Sequence, residues 1–320
     1  YNSKTTDALV GVSQPGSEGG WGTRTENVGE LMAEGLELQI NGVFFRSDFL
    51  EWRGRANVAF NRSEAQDLNC ADLDGNAANG KETCQIVGVG NGAYIRVGHT
   101  IPTYWGYKIM NPDEHATPIR SDSILPIGPV MPTRILGFST SVSIGDHITV
   151  DALLEHQGGH YLPNYTGYQN ERRGVWYNCY EAQRAMPAVT NGGSASLLDP
   201  FTARERARCA TNIMGAGAST NPTGHDSNYW IDKADFWKLR SVSVSWQLPQ
   251  AWVSRYADRA TLSLAGRNLF KWTDFEGTDP EIEDYSDRAG QGTGAGSYGR
   301  REYYSLPPSR QFLATLRVTF

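Results

Sequence analysis

No stretch of this 320-residue chain approaches the ~18 consecutive apolar residues that a membrane-spanning helix requires. That excludes a helical membrane protein but not a β-barrel, in which only every second strand residue has to be apolar. For the same reason the mean hydropathy of −0.47 carries no weight against a membrane. Positive charge is also scarce: Lys and Arg number 29 against 35 Asp and Glu, a formal net charge of −6. Nucleic acid, which wants a basic surface, drops out as a partner. Catalytic signatures are missing, with no G-x-S-x-G, H-E-x-x-H, P-loop or dinucleotide fingerprint. Finally, the chain shows neither an N-terminal Met nor a charged segment leading into an apolar one. Either a signal peptide has been removed or an upstream part precedes Tyr1, and the strand pattern below favours the second.

Cysteines are few. The four fall as two local pairs in stretches rich in Gly, Asn and Ala. Four cysteines allow three connectivities, of which Cys70–Cys84 with Cys179–Cys209 is expected. That places the chain in an oxidising compartment outside the cytoplasm. Structural zinc is the rival, but no C-x-x-C or Cys/His cluster has its spacing. His156 and His160 sit close in sequence, yet a spacing of four on a strand end does not make one helical face, so no metal pair is expected. Calcium could be held through the oxygens of Asp274, Glu276, Asp279, Glu281, Glu283, Asp284 and Asp287. Asp72-Leu-Asp-Gly-Asn76 hints at the same, but its Gly comes two places early for an EF-hand loop. A solvated loop is the preferred reading of both, so no cofactor is expected.

What the chain does have is alternation. Leu36, Leu38 and Ile40 oppose Glu37, Gln39 and Asn41, and after a turn at Arg46-Ser-Asp48, Trp52, Gly54, Ala56, Val58 and Phe60 oppose Arg53, Arg55, Asn57 and Asn61. The same period of two runs through 136–144, 148–155, 236–248, 260–270 and 309–320, and Tyr1–Val10 reads as a truncated strand. The last segment ends on an apolar face of Phe312, Ala314, Leu316, Val318 and Phe320. Connections alternate as strictly as side chains do: 46–49, 145–146 and about 249–259 are short, whereas 11–32, 65–133, 159–229 and 271–308 are long. A soluble β-sandwich shares the side-chain pattern but has no such rhythm, and structureless loops of roughly 70 residues argue against an ordinary compact domain. Short hairpins are expected inside 85–133, around Tyr94–Val97 and Tyr104-Trp105. The expected fold is all-β, an antiparallel transmembrane β-barrel wall with short periplasmic turns and long extracellular loops.

Several strings resemble one family, the SusC/RagA-like TonB-dependent receptors of bacterial outer membranes. They are Asn27-Val-Gly-Glu30 with Gly35-Leu-Glu-Leu38, Ala234-Asp-Phe-Trp-Lys-Leu-Arg240 leading to Leu248-Pro249, Gly266-Arg-Asn-Leu-Phe270 with Trp272, Gly277-Thr-Asp-Pro-Glu281, and the terminal Leu316-Arg-Val-Thr-Phe320. The resemblance spans the visible chain, with Gly266–Glu281 its most specific block. It implies that residues 1–320 are about the last eight strands of a roughly 22-stranded plugged barrel, with the plug domain and signal peptide lying outside this chain. It further implies active import of an oligosaccharide or peptide, energy from a TonB complex contacting the missing N-terminal region, and a SusD-like surface lipoprotein as a lid over loops 65–133 and 159–229. A passive porin and an outer-membrane barrel hydrolase are the rival functions. The hydrolase is weakened because a glycosidase needs two carboxylates at a fixed separation on a rigid scaffold.

Candidate ligand-binding residues are loop aromatics, whose flat rings can stack on cargo while polar tips hydrogen-bond: Tyr104, Trp105, Tyr165, Tyr168, Trp176, Tyr177 and Trp230. Packing within the loops is the competing role. Trp52, Trp246, Trp252 and Trp272, near strand ends, read as an interfacial girdle. Glu37, Arg53, Arg55, Asp151, Glu155, Arg240, Arg267 and Arg317 are expected to face a water-filled lumen, touching wall and plug more than substrate.

Overall fold

The computed structural model describes residues 1–13, 23–27, 29–67, 85–90, 92–190, 194–209, 227–281 and 300–320. Eight strands form one antiparallel sheet in chain order: β1 (Asn2–Thr6), β2 (Glu30–Arg46), β3 (Leu50–Asp67), β4 (Arg134–Ile144), β5 (Ile148–Gly158), β6 (Phe236–Gln247), β7 (Arg259–Thr273) and β8 (Gln311–Thr319). Each strand pairs with its sequence neighbour, with β1 and β8 at the edges.

The register keeps the two faces apart across the whole wall. Leu38, Val58, Leu136 and His156 lie in one row of partners, and Arg53, Ser141, Asp151 and Ser243 in a row of the opposite face. Among the described residues, no second layer covers the apolar face. Leu316 is 62% exposed and Phe312 79%, and Leu38, Ile40, Phe60, Leu264 and Phe270 are exposed as well. A soluble sandwich would bury these side chains between two sheets. Apolar side chains in that position require a lipid solvent.

All three connections at one end are tight. At 47–49 the Ser47 hydroxyl accepts from the Leu50 amide at 3.0 Å. Gly145, at φ +52, supplies the left-handed residue of the next turn, and its amide donates to Phe49 O at 2.6 Å, tying the two turns together. The third carries a short helix, Gln250–Val253, entered through Pro249. The opposite end holds the other described elements. Leu9–Ser13 and Thr23–Asn27 make a hairpin, so Tyr1–Val10 is not one strand as expected; Asp7, at φ +56, ends β1 and starts a separate sheet. Gln85–Gly90, Ala93–Arg96, Thr103–Gly106 and Leu125–Pro129 form a four-stranded sheet that includes the anticipated hairpins.

Between β5 and β6 the chain departs from an all-strand reading. Strand Tyr161–Pro163 pairs with Ile231–Lys233, and between them lie three helices: α1 (Tyr165–Arg172), α2 (Tyr180–Thr190) and α3 (Ala203–Cys209). The Asn164 side chain caps α1 by accepting from the Gly167 amide at 2.8 Å. The Cys179–Cys209 disulfide joins the approach to α2 with the end of α3. The helices close on Tyr168, Ala182, Ala207, Tyr229 and Trp230, a small core of their own. A second core, Ala93, Tyr104, Val130 and Ile231, binds the four-stranded sheet to this layer. The expected Cys70–Cys84 pair and Asp72–Asn76 lie outside the described residues.

Candidate functional site

The site is built on a bulge. In β6, Leu239 and Ser241 pair with Leu154 and Leu153, which leaves Arg240 as an extra residue; Asn268 of β7, at φ +53, lies beside it. Arg240 reaches Glu155 at 2.9 Å and Glu281 at 2.7 Å. Two residues earlier, Lys238 holds both oxygens of Asp279, at 2.8 and 2.9 Å, and Glu281 at 2.6 Å. Lys238 is 7% exposed and Asp279 3%. Burial pushes Glu281 up, but hydrogen bonds from Arg240 and Lys238 outweigh it and hold its carboxyl at about 2. Two strings that looked independent in sequence, Lys-Leu-Arg240 and Asp-Pro-Glu281, are therefore the two halves of one clamp. It fixes the base of the loop following β7. The expected solvated loop is corrected at these positions: Asp279 and Glu281 are pinned to the wall, and Glu276 pairs with Arg208 at 3.1 Å. Glu283, Asp284 and Asp287 lie outside the described residues.

Beyond the clamp, residues Arg300–Tyr304 of the same loop run through the middle of the layer. Tyr104 donates to Arg300 O at 2.5 Å, and the Arg300 guanidinium donates to Val130 O at 3.2 Å. The Glu302 amide donates to Pro163 O and its carbonyl accepts from the Tyr165 amide, both at 2.9 Å. The Glu302 carboxyl, fully buried, accepts from the Thr166 hydroxyl at 2.9 Å, and burial raises its pKa. The nearby His160 ring is fully enclosed; burial first, then the Arg300 charge, lowers its pKa to about 4. The segment thus behaves as a strap joining the four-stranded sheet, strand Tyr161–Pro163 and α1.

Alongside the strap a cleft of about 430 Å³ opens between α3, strand Ile231–Lys233 and the segment after Thr103–Gly106, a size within the usual range of ligand pockets. Its walls are Ile109, Ile127 and Ile231 with the rings of Tyr107, Tyr161 and Tyr229. Arg208 is locked in place, its Nε donating to Tyr229 O at 2.7 Å while its guanidinium pairs with Asp232 and lies 5.3 Å from the Trp230 ring centre. Lys108, Arg204 and Lys233 complete the lining. Gly128 makes room for Tyr161, since a Cβ there would come within 2.2 Å of its ring.

Of the aromatic residues expected to contact ligand, the structure buries Tyr104, Trp105, Tyr168 and Trp230. Tyr165 and Trp176 are half-buried, and Tyr177 is 74% exposed. They do not converge on one cavity. The rings that do, Tyr107, Tyr161 and Tyr229, belong to the same loop aromatics, but the cations Lys108, Arg204 and Lys233 were missed; the Tyr107-Lys108 juxtaposition was their only trace in the sequence. Glu37, Arg53, Arg55, Asp151, Glu155, Arg267 and Arg317 all fall on the face opposite the exposed apolar one, and Arg240 reaches that face from its bulge. Trp52, Trp252 and Trp272 are exposed at strand or turn ends, with Trp246 edge-on to Trp252 at 5.8 Å.

No protein-family model matches the chain. Over its full length it is similar to two proteins of Formosa agariphila, TonB-dependent receptor P26, at 24% identity, and TonB-dependent receptor P3, at 23%. It spans 32% of each, about a third of the length of these curated relatives. Among solved structures it resembles that of the RagAB peptide transporter, with a TM-score of 0.66 at 17% identity. It also resembles the RagAB peptide importer in its open-open state, at 0.63 and 18%. Both comparisons cover the whole chain and 32% of the solved one. The expected resemblance to TonB-dependent receptors is borne out, and with it an antiparallel barrel wall in a bacterial outer membrane.

Proposed function

We propose that residues 1–320 form the C-terminal part of the barrel domain of a TonB-dependent importer, which captures an oligosaccharide or peptide on its loop layer and passes it through a plugged lumen. The observation that carries this reading is the uncovered apolar face of an eight-stranded wall whose long connections all gather at one end. Edge strands β1 and β8 need partners in lipid, because each unsatisfied backbone group there costs several kcal/mol, so further strands of the same receptor close the barrel. On the polar face, Arg53, Arg55 and Asp151 border a depression of about 640 Å³ where the plug would rest. The relatives are named as receptors and transporters, which points to a non-enzymatic role. A SusD-like lipoprotein over the loop layer is the surface partner in this proposal. Energy enters through a TonB complex acting on the N-terminal region.

The test is uptake of labelled oligosaccharides and peptides by cells carrying the full-length receptor, with the proton gradient intact or dissipated and with TonB present or deleted. Gradient- and TonB-dependent accumulation is expected. Uptake that persists without either would make the protein a passive pore.

A further inference from the structure

We propose that the loop-layer cleft recognises an anionic group on the cargo, a carboxylate or a sulfate, so that the receptor selects acidic oligosaccharides or acidic peptides over neutral ones. The inference rests on the import reading for calling its ligand cargo. Four cations line the cleft, Lys108, Arg204, Arg208 and Lys233, against one carboxylate, Asp232. Asp232 is already paired with Arg208, and three positive charges remain. Their intramolecular partners are poor. Arg204 lies 4.0 Å from Asp113, whose side chain is 92% exposed. Lys233 lies 3.4 Å from Asp235, a carboxylate that already accepts from Arg134 and the Gly159 amide. Among the described residues the Lys108 ammonium has no ion-pair or hydrogen-bond partner.

The chain as a whole carries a formal net charge of −6, so a cleft with surplus positive charge runs against its average composition. Exposed cations scattered over a surface are weakly coupled to anything, since water and salt screen them. Here Arg204 and Lys233, themselves more than half exposed, ring a wall of Ile109, Ile127 and Ile231, and a ligand seated against that wall displaces the screening water, so that an ionic hydrogen bond to it is stronger than a neutral one. The tyrosine rings beside them present flat faces to a sugar ring or a planar side chain. The cleft therefore combines a stacking surface with charge-assisted donors, the pairing that an acidic sugar or an acidic peptide satisfies and a neutral one leaves half unused.

The experiment measures binding to the full-length receptor in detergent by titration calorimetry. The probes are trigalacturonate, a sulfated galacto-oligosaccharide and the peptide Ala-Glu-Glu-Ala, each beside a neutral counterpart: maltotriose, the desulfated sugar and Ala-Gln-Gln-Ala. At least one anionic probe should bind at least tenfold more tightly than its counterpart and weaken with salt. The triple variant Lys108→Gln/Arg204→Gln/Lys233→Gln should lose roughly tenfold or more for that probe while its neutral counterpart is unchanged. Lys108→Arg keeps the charge and should keep the binding, and barrel folding in every variant is checked by heat-modifiable gel mobility. Equal affinity for charged and neutral probes, no binding of any anionic probe, or a triple variant that binds like wild type overturns the proposal. Uptake separates the two readings. Gradient-driven import of anionic and neutral probes alike, with import of the anionic probe unaffected by the triple substitution, leaves the importer standing and removes the anion preference. Charge-dependent binding without gradient-driven import does the reverse.

Discussion

Replacing Lys238 by Met removes the cation at the centre of the clamp and leaves Asp279, 3% exposed, without its bidentate partner. Removing one member of a buried ion pair costs about 3–5 kcal/mol, because the remaining charge is desolvated and uncompensated. Two contacts soften the loss: Lys271 stays 3.8 Å from Asp279, and Glu281 keeps Arg240. The lower end of the range, about 3 kcal/mol, is expected, which is roughly a hundredfold more opening of the loop base at ~1.4 kcal/mol per factor of ten. Hydrogen exchange followed by mass spectrometry reads this directly, since the Glu281 amide donates to Asp279 Oδ1 at 2.9 Å and exchanges only when that bond opens. The full-length receptor in detergent should show faster exchange in the 275–281 peptide, with β3–β5 unchanged. In Lys238→Met/Asp279→Asn both charges are gone while Oδ1 is kept as the acceptor of the Glu281 amide, and protection should return to near the wild-type level. Exchange within about threefold of wild type in the single variant, or a double variant as open as the two singles combined, would refute the reasoning that the clamp holds by compensated burial.

Leu316→Arg puts a charge on the uncovered apolar face and should cost about 2–4 kcal/mol in lipid, whereas Thr315→Arg, on the polar face, should cost little; urea unfolding in vesicles compares them. Replacing both Cys179 and Cys209 with Ala opens a link spanning 30 residues, worth about 3–4 kcal/mol of chain entropy. Limited proteolysis should then cut within the helical loop while the heat-modifiable mobility of the barrel stays unchanged. Glu281, held at about 2 against an ordinary 4.5, adds stability that is complete above pH 4.5 and fades as pH falls toward 2. Glu281→Gln should flatten that part of the exchange profile of the loop base. Glu302 has the opposite sign: its raised pKa leaves it without penalty at pH well under 4.5 and with a growing one above. Glu302→Gln should therefore slow exchange of the strap at neutral pH and leave it unchanged in acid.

The wall was legible because a membrane imposes period two on every spanning segment; Leu36–Ile40 and Phe312–Phe320 declare their faces without help from any distant residue. The short turns were legible for a related reason, since a hairpin connection is local. The helices α1, α2 and α3 were not. They are 8, 11 and 7 residues long, below the length at which a helix is stable by itself. They exist because a disulfide and the Tyr168–Trp230 core hold them. The clamp was half legible: both of its strings stood out, but their contact depends on the bulge that frees Arg240, which pattern reading does not reveal. Tyr104 and Trp230 looked like binding residues because the sequence gives aromatic identity and not accessibility.

The strap also bears on biogenesis. Arg300–Tyr304 follows the four-stranded sheet and α1 by well over a hundred residues, yet both close around it. Those earlier segments cannot complete their packing as they emerge and must wait for the connection between β7 and β8. The loop layer is thereby completed only after Arg300–Tyr304 has been made, and a chain cut before residue 300 would keep its earlier strands but leave that layer unfinished.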